Sequence, residues 1–214
     1  MYVNGSNRTF SAEGSGTFYF TYDKRYTKTS FSLYSKPDIG YKLQGVYSTG
    51  TGSRLSTKTT WHFTPKAVGY DIRFALDPDS FQYELAEGDS SQTKLPYVQA
   101  AAKRLAALGY YAPTGYTYGS GYDYGYTPLI AGEETSFTAD LKNAVIKFQV
   151  MNDLPNGGII DEETWSVLFS ETAASMAASD AEYQQILAAY EVRIQQLRAA
   201  REELAAVSIQ ATSK

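Results

Sequence analysis

The 214-residue chain contains no cysteine, a single histidine and no long apolar run. The lack of cysteine excludes a disulfide framework and a cysteine-ligated metal site. No apolar stretch is long enough to cross a bilayer as a helix, so a membrane span is not expected. The first residues contain neither a basic segment nor an apolar segment, and a signal peptide is therefore not expected in this chain. The net charge is −4 and no region is strongly basic, which disfavours nucleic acid as a partner.

The scarcity of histidine also limits the catalytic options. A zinc peptidase needs several ligands around an open coordination position, and His62 stands alone. A Ser-His-Asp arrangement would need the same histidine, and no GxSxG motif is present. The acidic residues available for a glycosidase pair stand in loops and helix starts, where acids are expected anyway: Glu133, Glu134, Asp140 and Glu171. The sequence predicts no catalytic residues, no metal site and no cofactor.

Residues 1–90 are rich in Thr, Tyr, Phe and Val, interrupted by Gly, Ser and Pro. Apolar and polar residues alternate with period two, which is typical of antiparallel strands with one buried face. Strands are predicted at 16–22, 29–35, 41–47, 57–63, 69–76 and 81–85. This number and spacing favour a β-sandwich domain over residues 1–90. The polar segment 86–94 is predicted to be a linker, with the domain boundary near Ser90.

The segment 137–169, FTADLKNAVIKFQVMNDLPNGGIIDEETWSVLF, predicts two helices around a Pro/Gly turn. Thr138 is the expected N-cap of the first helix, whose apolar residues follow at helical spacing. Residues 154–158 end that helix and turn the chain. Asp161 is the expected N-cap of the second helix. Its apolar face and that of the first helix are predicted to form a core around Val145, Phe148, Trp165 and Leu168.

This segment resembles the peptidoglycan-binding domain family, a small three-helix module that occurs beside many cell-wall hydrolases. The matching positions are Ala144 to Gln149, Leu154, Gly158, Ile160, Asp161, Thr164, Trp165 and Leu168, with Val98 to Leu105 and Leu108 to Tyr111 for the first helix. The resemblance covers roughly residues 95–170, within a helical domain predicted at 91–170, and implies a cell-wall glycopeptide ligand in a shallow groove. Residues 61–74 are similar, more loosely, to the last hairpin of bacterial immunoglobulin-like surface domains.

Candidate ligand contacts lie around the turn between the two helices. The amide of Gln149 either bonds to backbone in the turn or faces a ligand. The full set of predicted contacts is Gln149, Asn152, Asp153, Asn156 and Trp165, together with four tyrosines, Tyr116, Tyr118, Tyr122 and Tyr124. The tyrosines belong to an insertion at 114–128, TGYTYGSGYDYGYTP, where the family usually has a short loop. This insertion is either an adaptable recognition loop or a surface loop packed on its own domain.

Residues 171–214 contain no Gly or Pro, are rich in Ala and predict one long helix. Spacings of four and three residues define a heptad seam, which Arg201 interrupts. The seam consists of Tyr183, Leu187, Tyr190, Ile194, Leu197, Arg201 and Leu204. Its partner is either another copy of the chain or the chain's own helices, and self-association or docking on a larger assembly is favoured.

The sequence thus predicts a multi-domain α+β protein: an antiparallel β-sandwich, a three-helix peptidoglycan-binding-like module and a C-terminal helix. The predicted function is non-catalytic binding of peptidoglycan, or of another cell-wall glycan, at a bacterial surface or on a phage-type particle. The expected location is extracellular. The alternative is a structural subunit of a surface filament or virion-like assembly, in which the helical module is a scaffold and the C-terminal helix supports a homo-oligomer.

Overall fold

The computed structural model has two compact units, Met1–Leu76 and Asp77–Lys214. The structure describes residues 2–3, 6–7, 31–64, 70–114, 116–118, 126–128 and 130–212. Helices and antiparallel sheets are both present, so the fold class is α+β, as predicted. None of the helices in the described ranges is long and apolar enough to cross a membrane.

The described part of the first unit is built from short antiparallel strands. Its strands are β1 (Tyr2–Val3), β2 (Ser6–Asn7), β3 (Phe31–Tyr34), β4 (Tyr41–Ser48), β5 (Arg54–Ser56), β6 (Thr60–Phe63) and β7 (Tyr70–Leu76). Strand β1 pairs with β2, β3 pairs with β6, and β4 lies between β5 and β7 in a three-stranded sheet. A register shift interrupts the β4–β7 pairing between Leu43 and Gly45.

Four of the predicted strands are confirmed with shorter or slightly shifted bounds, namely those at 29–35, 41–47, 57–63 and 69–76. The strand predicted at 16–22 lies outside the described residues. Strand β5 was not predicted, because it has only three residues and follows a glycine-rich turn. That turn is closed by hydrogen bonds from Gly52 N to Ser48 O, at 2.8 Å, and from Ser48 N to Ser53 O, at 2.9 Å.

The second unit consists of helices and one short hairpin. After a 3₁₀ turn at Pro78–Ser80, its elements are α1 (Leu95–Ala107), β8 (Tyr116–Tyr118), β9 (Tyr126–Pro128), α2 (Ala139–Met151), α3 (Glu162–Leu168) and α4 (Asp180–Thr212). The predicted core residues Val145, Phe148, Trp165 and Leu168 are all buried, which confirms the core prediction. These side chains bring α1, α2 and α3 together.

The helix ends follow the capping signals in the sequence. The Thr138 hydroxyl accepts a hydrogen bond from Leu141 N at 3.2 Å, and the Asp161 carboxylate accepts one from Thr164 N at 2.8 Å. Each cap satisfies a backbone donor that the first helical turn leaves unpaired. Gly109 follows α1 with φ +86, a left-handed conformation that favours glycine.

The segment before α1 differs from its prediction. Residues 81–85 form no strand, and Leu85 instead makes a single bridge to Ile160, with N–O distances of 3.0 and 2.9 Å. Leu85 is fully buried in the second unit. The units therefore divide between Leu76 and Asp77, whereas the sequence placed the boundary near Ser90. Alternation alone could not distinguish a strand from an extended segment that packs on helices.

The first half of α4 packs on its own module. Tyr183 and Tyr190 are buried against Val150 of α2, with Leu187 and Ile194 packed around them. The Tyr190 hydroxyl donates to the Leu154 carbonyl at 2.7 Å. Of the two partners considered for the heptad seam, the chain's own helices thus cover its first four positions.

Candidate functional site

Gln149 lies at the centre of the turn between α2 and α3. Its side-chain oxygen accepts from Gly158 N at 2.9 Å, and its Nε2 donates to the Ile159 carbonyl at 2.7 Å. The same nitrogen lies 3.2 Å from the Thr164 hydroxyl at the start of α3. Gln149 is only 2% exposed, so its polar atoms are directed into the protein. The structure therefore gives Gln149 the turn-bonding role, the first of its two predicted roles.

Trp165 is fully buried beneath the segment that precedes α1. Its indole Nε1 donates to the Ser80 hydroxyl at 3.1 Å, which satisfies the donor of the buried ring. The rings of Phe81, Tyr97 and Phe169 surround it, at centroid distances of 6.4, 5.8 and 4.4 Å. A ligand on the surface cannot touch this side chain, and Trp165 serves the core.

The remaining predicted contacts of the turn are more accessible. Asn152 is half-buried, and its side chain hydrogen-bonds to backbone groups. Its Nδ2 donates to the Phe148 carbonyl at 2.9 Å, and its Oδ1 accepts from Ala174 N at 2.8 Å. Asp153 is exposed, has a left-handed φ of +63, and forms an ion pair with Arg193 of α4. Asn156 is exposed. Of the five predicted contacts at the turn, two are therefore buried (Gln149 and Trp165), Asn152 is half-buried, and two are exposed (Asp153 and Asn156).

The exposed side of the turn faces α4 across an open groove, here called the α4 groove. It is lined by Pro155, Asn156 and Gly157 on one side and by Tyr190, Ile194, Leu197, Arg198 and Arg201 on the other. Its volume is about 330 Å³, near the lower end of the range for small-molecule sites. Among the five predicted contacts of the described turn, Asn156 alone lines it.

Sequence reasoning missed the α4 side of this groove. The signal was present, because Tyr190, Ile194, Leu197 and Arg201 belong to the heptad seam. The seam was interpreted as a coiled-coil stripe, and Arg201 as an interruption of it. The structure places that interruption, with Arg198 beside it, at the mouth of a groove.

The tyrosine-rich insertion includes a short hairpin. Strands β8 and β9 pair antiparallel, with Tyr116 opposite Pro128 and Tyr118 opposite Tyr126. Two of the predicted tyrosine contacts, Tyr116 and Tyr118, thus lie on one strand. The other two, Tyr122 and Tyr124, lie outside the described residues.

Glu134 is a buried acid, only 2% exposed, in the segment before α2. Its Oε2 accepts from Gly132 N at 2.8 Å, while its Oε1 has no hydrogen-bond partner among the residues that the structure describes. Burial raises the pKa of this carboxyl above its ordinary value. Burial, with the Glu134 charge as a second cause, raises the pKa of Tyr111 to about 12.

A metal site would need several His, Cys, Asp or Glu side chains close together in the described ranges. Within them, no group of three or more His, Cys, Asp or Glu side chains is arranged to hold a metal ion. His62 lies on β6, where its Nδ1 is 2.8 Å from the Ser32 hydroxyl on the paired strand β3. The ring is exposed and makes an ordinary cross-strand contact.

Comparison with known proteins identifies the helical module. No significant match was found among curated proteins or among solved structures. A family model described as a putative peptidoglycan binding domain matches residues 95–168, less than half of the chain. The match begins at the first residue of α1 and ends at the last residue of α3, and it agrees with the resemblance found in the sequence. Residues 95–168 of this chain are thus matched by the putative peptidoglycan binding domain family.

Proposed function

We propose that the chain is a non-catalytic cell-wall protein whose helical module binds peptidoglycan. The observation that carries this proposal is the family match over α1, α2 and α3, the helices that share the buried core. The family is a binding domain by its description, and it implies a ligand in the cell wall. The protein would act extracellularly, at a bacterial surface or on a particle that attaches to one.

The contact surface in this proposal is the exposed side of the α2–α3 turn. Asn156 and the adjacent backbone are accessible, whereas Gln149 hydrogen-bonds inside the turn and gives it a fixed shape. A rigid, exposed turn suits recognition because little conformational entropy is lost on binding. The insertion tyrosines, Tyr116, Tyr118, Tyr122 and Tyr124, are proposed as additional contacts, since Tyr rings stack well on sugars.

A second candidate function is a structural role in a filament or virion-like assembly. The observation that favours it is the distal half of α4, where Leu197 is 56% exposed and Leu204 is 71% exposed. Apolar side chains at heptad spacing are commonly covered by another helix. In this reading α4 holds copies of the chain together, and the helical module serves as a scaffold.

We further propose that the first unit is a β-sandwich domain that presents the helical module. The support comes from aromatic side chains that link the β3–β6 sheet to the three-stranded β5–β4–β7 sheet. Trp61 and Phe63 of β6 stack at a centroid distance of 4.4 Å. Tyr70 of β7 packs edge-on against them at 5.2 and 5.1 Å.

Co-sedimentation with purified insoluble peptidoglycan tests the binding function. We expect saturable retention of the full chain on peptidoglycan and little retention on chitin, a related glycan that carries no peptide. Size-exclusion chromatography of the same sample reports its oligomeric state. Absence of retention, together with ordered polymers in electron micrographs, would exclude the binding function and support the assembly role.

A further inference from the structure

The α4 groove has one wall that the peptidoglycan-binding family match does not include. Pro155, Asn156 and Gly157 lie within the matched residues 95–168, but the facing residues of α4 lie well beyond them. The helix is fixed in place by the buried Tyr183 and Tyr190. Helix α4 therefore forms a second wall of the groove, opposite the turn of the matched module.

The floor of the groove is apolar. Tyr190 is buried there and its hydroxyl is already bonded to the Leu154 carbonyl, so only the ring contributes. Ile194 is half-buried, and Leu197 is 56% exposed although it continues the same helix face. A partner that covers Leu197 gains free energy by removing apolar area from water.

The rim of the groove is cationic. Arg198 and Arg201 are exposed, one helical turn apart on the groove face, and neither forms a hydrogen bond or ion pair with another described residue. Arg193, five residues before Arg198 on α4, is instead neutralised by Asp153. The nearby acids of the helix, Glu202 and Glu203, form no ion pair with these guanidiniums within the described ranges.

We propose that the α4 groove binds a carboxylate-bearing segment of the peptidoglycan stem peptide. This inference rests on the proposed function. The free carboxylates of the stem peptide would pair with the Arg198 and Arg201 guanidiniums, whose planar donors match carboxylate oxygens two at a time. The small apolar side chains of the peptide would cover Ile194 and Leu197. The glycan strand would remain outside, since a volume of about 330 Å³ suits only a few residues.

The test compares the binding of three proteins to two ligands. The proteins are the full chain and its Arg198→Gln/Arg201→Gln variant, with Lys58→Gln/Arg73→Gln as a control that removes the same charge from the first unit. The ligands are purified peptidoglycan and the same material with its carboxyl groups amidated. We expect the groove variant to bind native peptidoglycan about three- to tenfold more weakly, the range for partly exposed charge-assisted hydrogen bonds.

The losses of binding on mutation and on amidation, taken together, decide whether the groove assignment holds. The proposal predicts that amidation weakens peptidoglycan binding by the unmodified chain by a similar factor. Amidation should add little further loss of binding to the groove variant, and the control variant should bind both ligands as the unmodified chain does. Undiminished binding by the groove variant would overturn the groove assignment while leaving the proposed function intact. A loss on mutation without a loss on amidation would also overturn it. Lack of any binding by the unmodified chain would instead refute the proposed function.

A second copy of the chain is the competing occupant of this groove. Its signature would be an oligomer in size-exclusion chromatography that the groove variant dissociates, with unchanged affinity for peptidoglycan. That outcome contradicts the carboxylate proposal. Circular dichroism checks that both double variants fold, which is expected because all four side chains are exposed.

Discussion

Replacing Gln149 with Met tests whether its amide organises the α2–α3 turn. Methionine has nearly the same length and volume, so the substitution removes the hydrogen bonds without leaving a large cavity. Gly158 N–H then loses its acceptor in a buried position, and the Ile159 carbonyl and the Thr164 hydroxyl lose a donor.

The magnitude follows from these three bonds. A buried donor without a partner costs about 1–3 kcal/mol, and a lost bond to a group that can find water or rotate costs about 1 kcal/mol or less. Ile159 is exposed and the Thr164 hydroxyl can rotate, so the loss of the hydrogen bonds to these two partners is partly compensated. We expect Gln149→Met to lower the free energy of unfolding of the second unit by about 2–4 kcal/mol.

Denaturant unfolding followed by tryptophan fluorescence measures this loss. The chain has two tryptophans, and the fully buried Trp165 reports on the second unit. The matched control is Asn143→Met, the same type of change at an exposed position of α2, where we expect a difference within about 0.5 kcal/mol. A Gln149→Met variant as stable as the control, but weakened in peptidoglycan binding, would refute the turn-bonding role and restore the ligand role.

Three further predictions concern the same unit. Tyr190→Phe leaves the Leu154 carbonyl without its 2.7 Å donor and should cost about 1–2 kcal/mol in chemical denaturation; stability equal to that of the unmodified chain would contradict the α4 docking contact. Gly158→Ala should cost about 2–3 kcal/mol, because φ is +71 and the new Cβ would lie 2.7 Å from Lys142 Cγ; an unchanged thermal midpoint would refute this. For Glu134 the folded pKa is raised, so its contribution to stability is complete at low pH and is lost as the pH rises through that pKa. Glu134→Gln should therefore be more stable than the unmodified chain at pH 7, with the difference shrinking towards pH 4; a difference that grows at low pH would have the wrong sign.

The helical module could be predicted closely because local rules and packing agree there. Thr138 and Asp161 are N-caps whose side chains bond where the sequence indicates. The core residues Val145 and Phe148 of α2, like Trp165 and Leu168 of α3, lie three positions apart. Each signal depends on residues three or four positions apart. Such short-range signals are visible in one sequence.

The site was less predictable because it depends on contacts far apart in the chain. Trp165 was predicted to be a ligand contact, since nothing in the sequence shows that Ser80 and Phe81 fold over it. The α4 groove joins a turn at 155–157 to a helix face at 190–201. Heptad spacing indicated that this face needs a partner, but not that the partner is the chain's own turn.

The central claim is that the helical module binds wall peptide beside the α2–α3 turn. Amide chemical shifts of the isotope-labelled full chain, recorded during titration with soluble muropeptides, test it most directly. The account predicts saturable shifts concentrated at Asn156, Gly157 and residues 194–201, with the first unit unaffected. Shifts confined to the first unit, or none at muropeptide concentrations in the millimolar range, would contradict it.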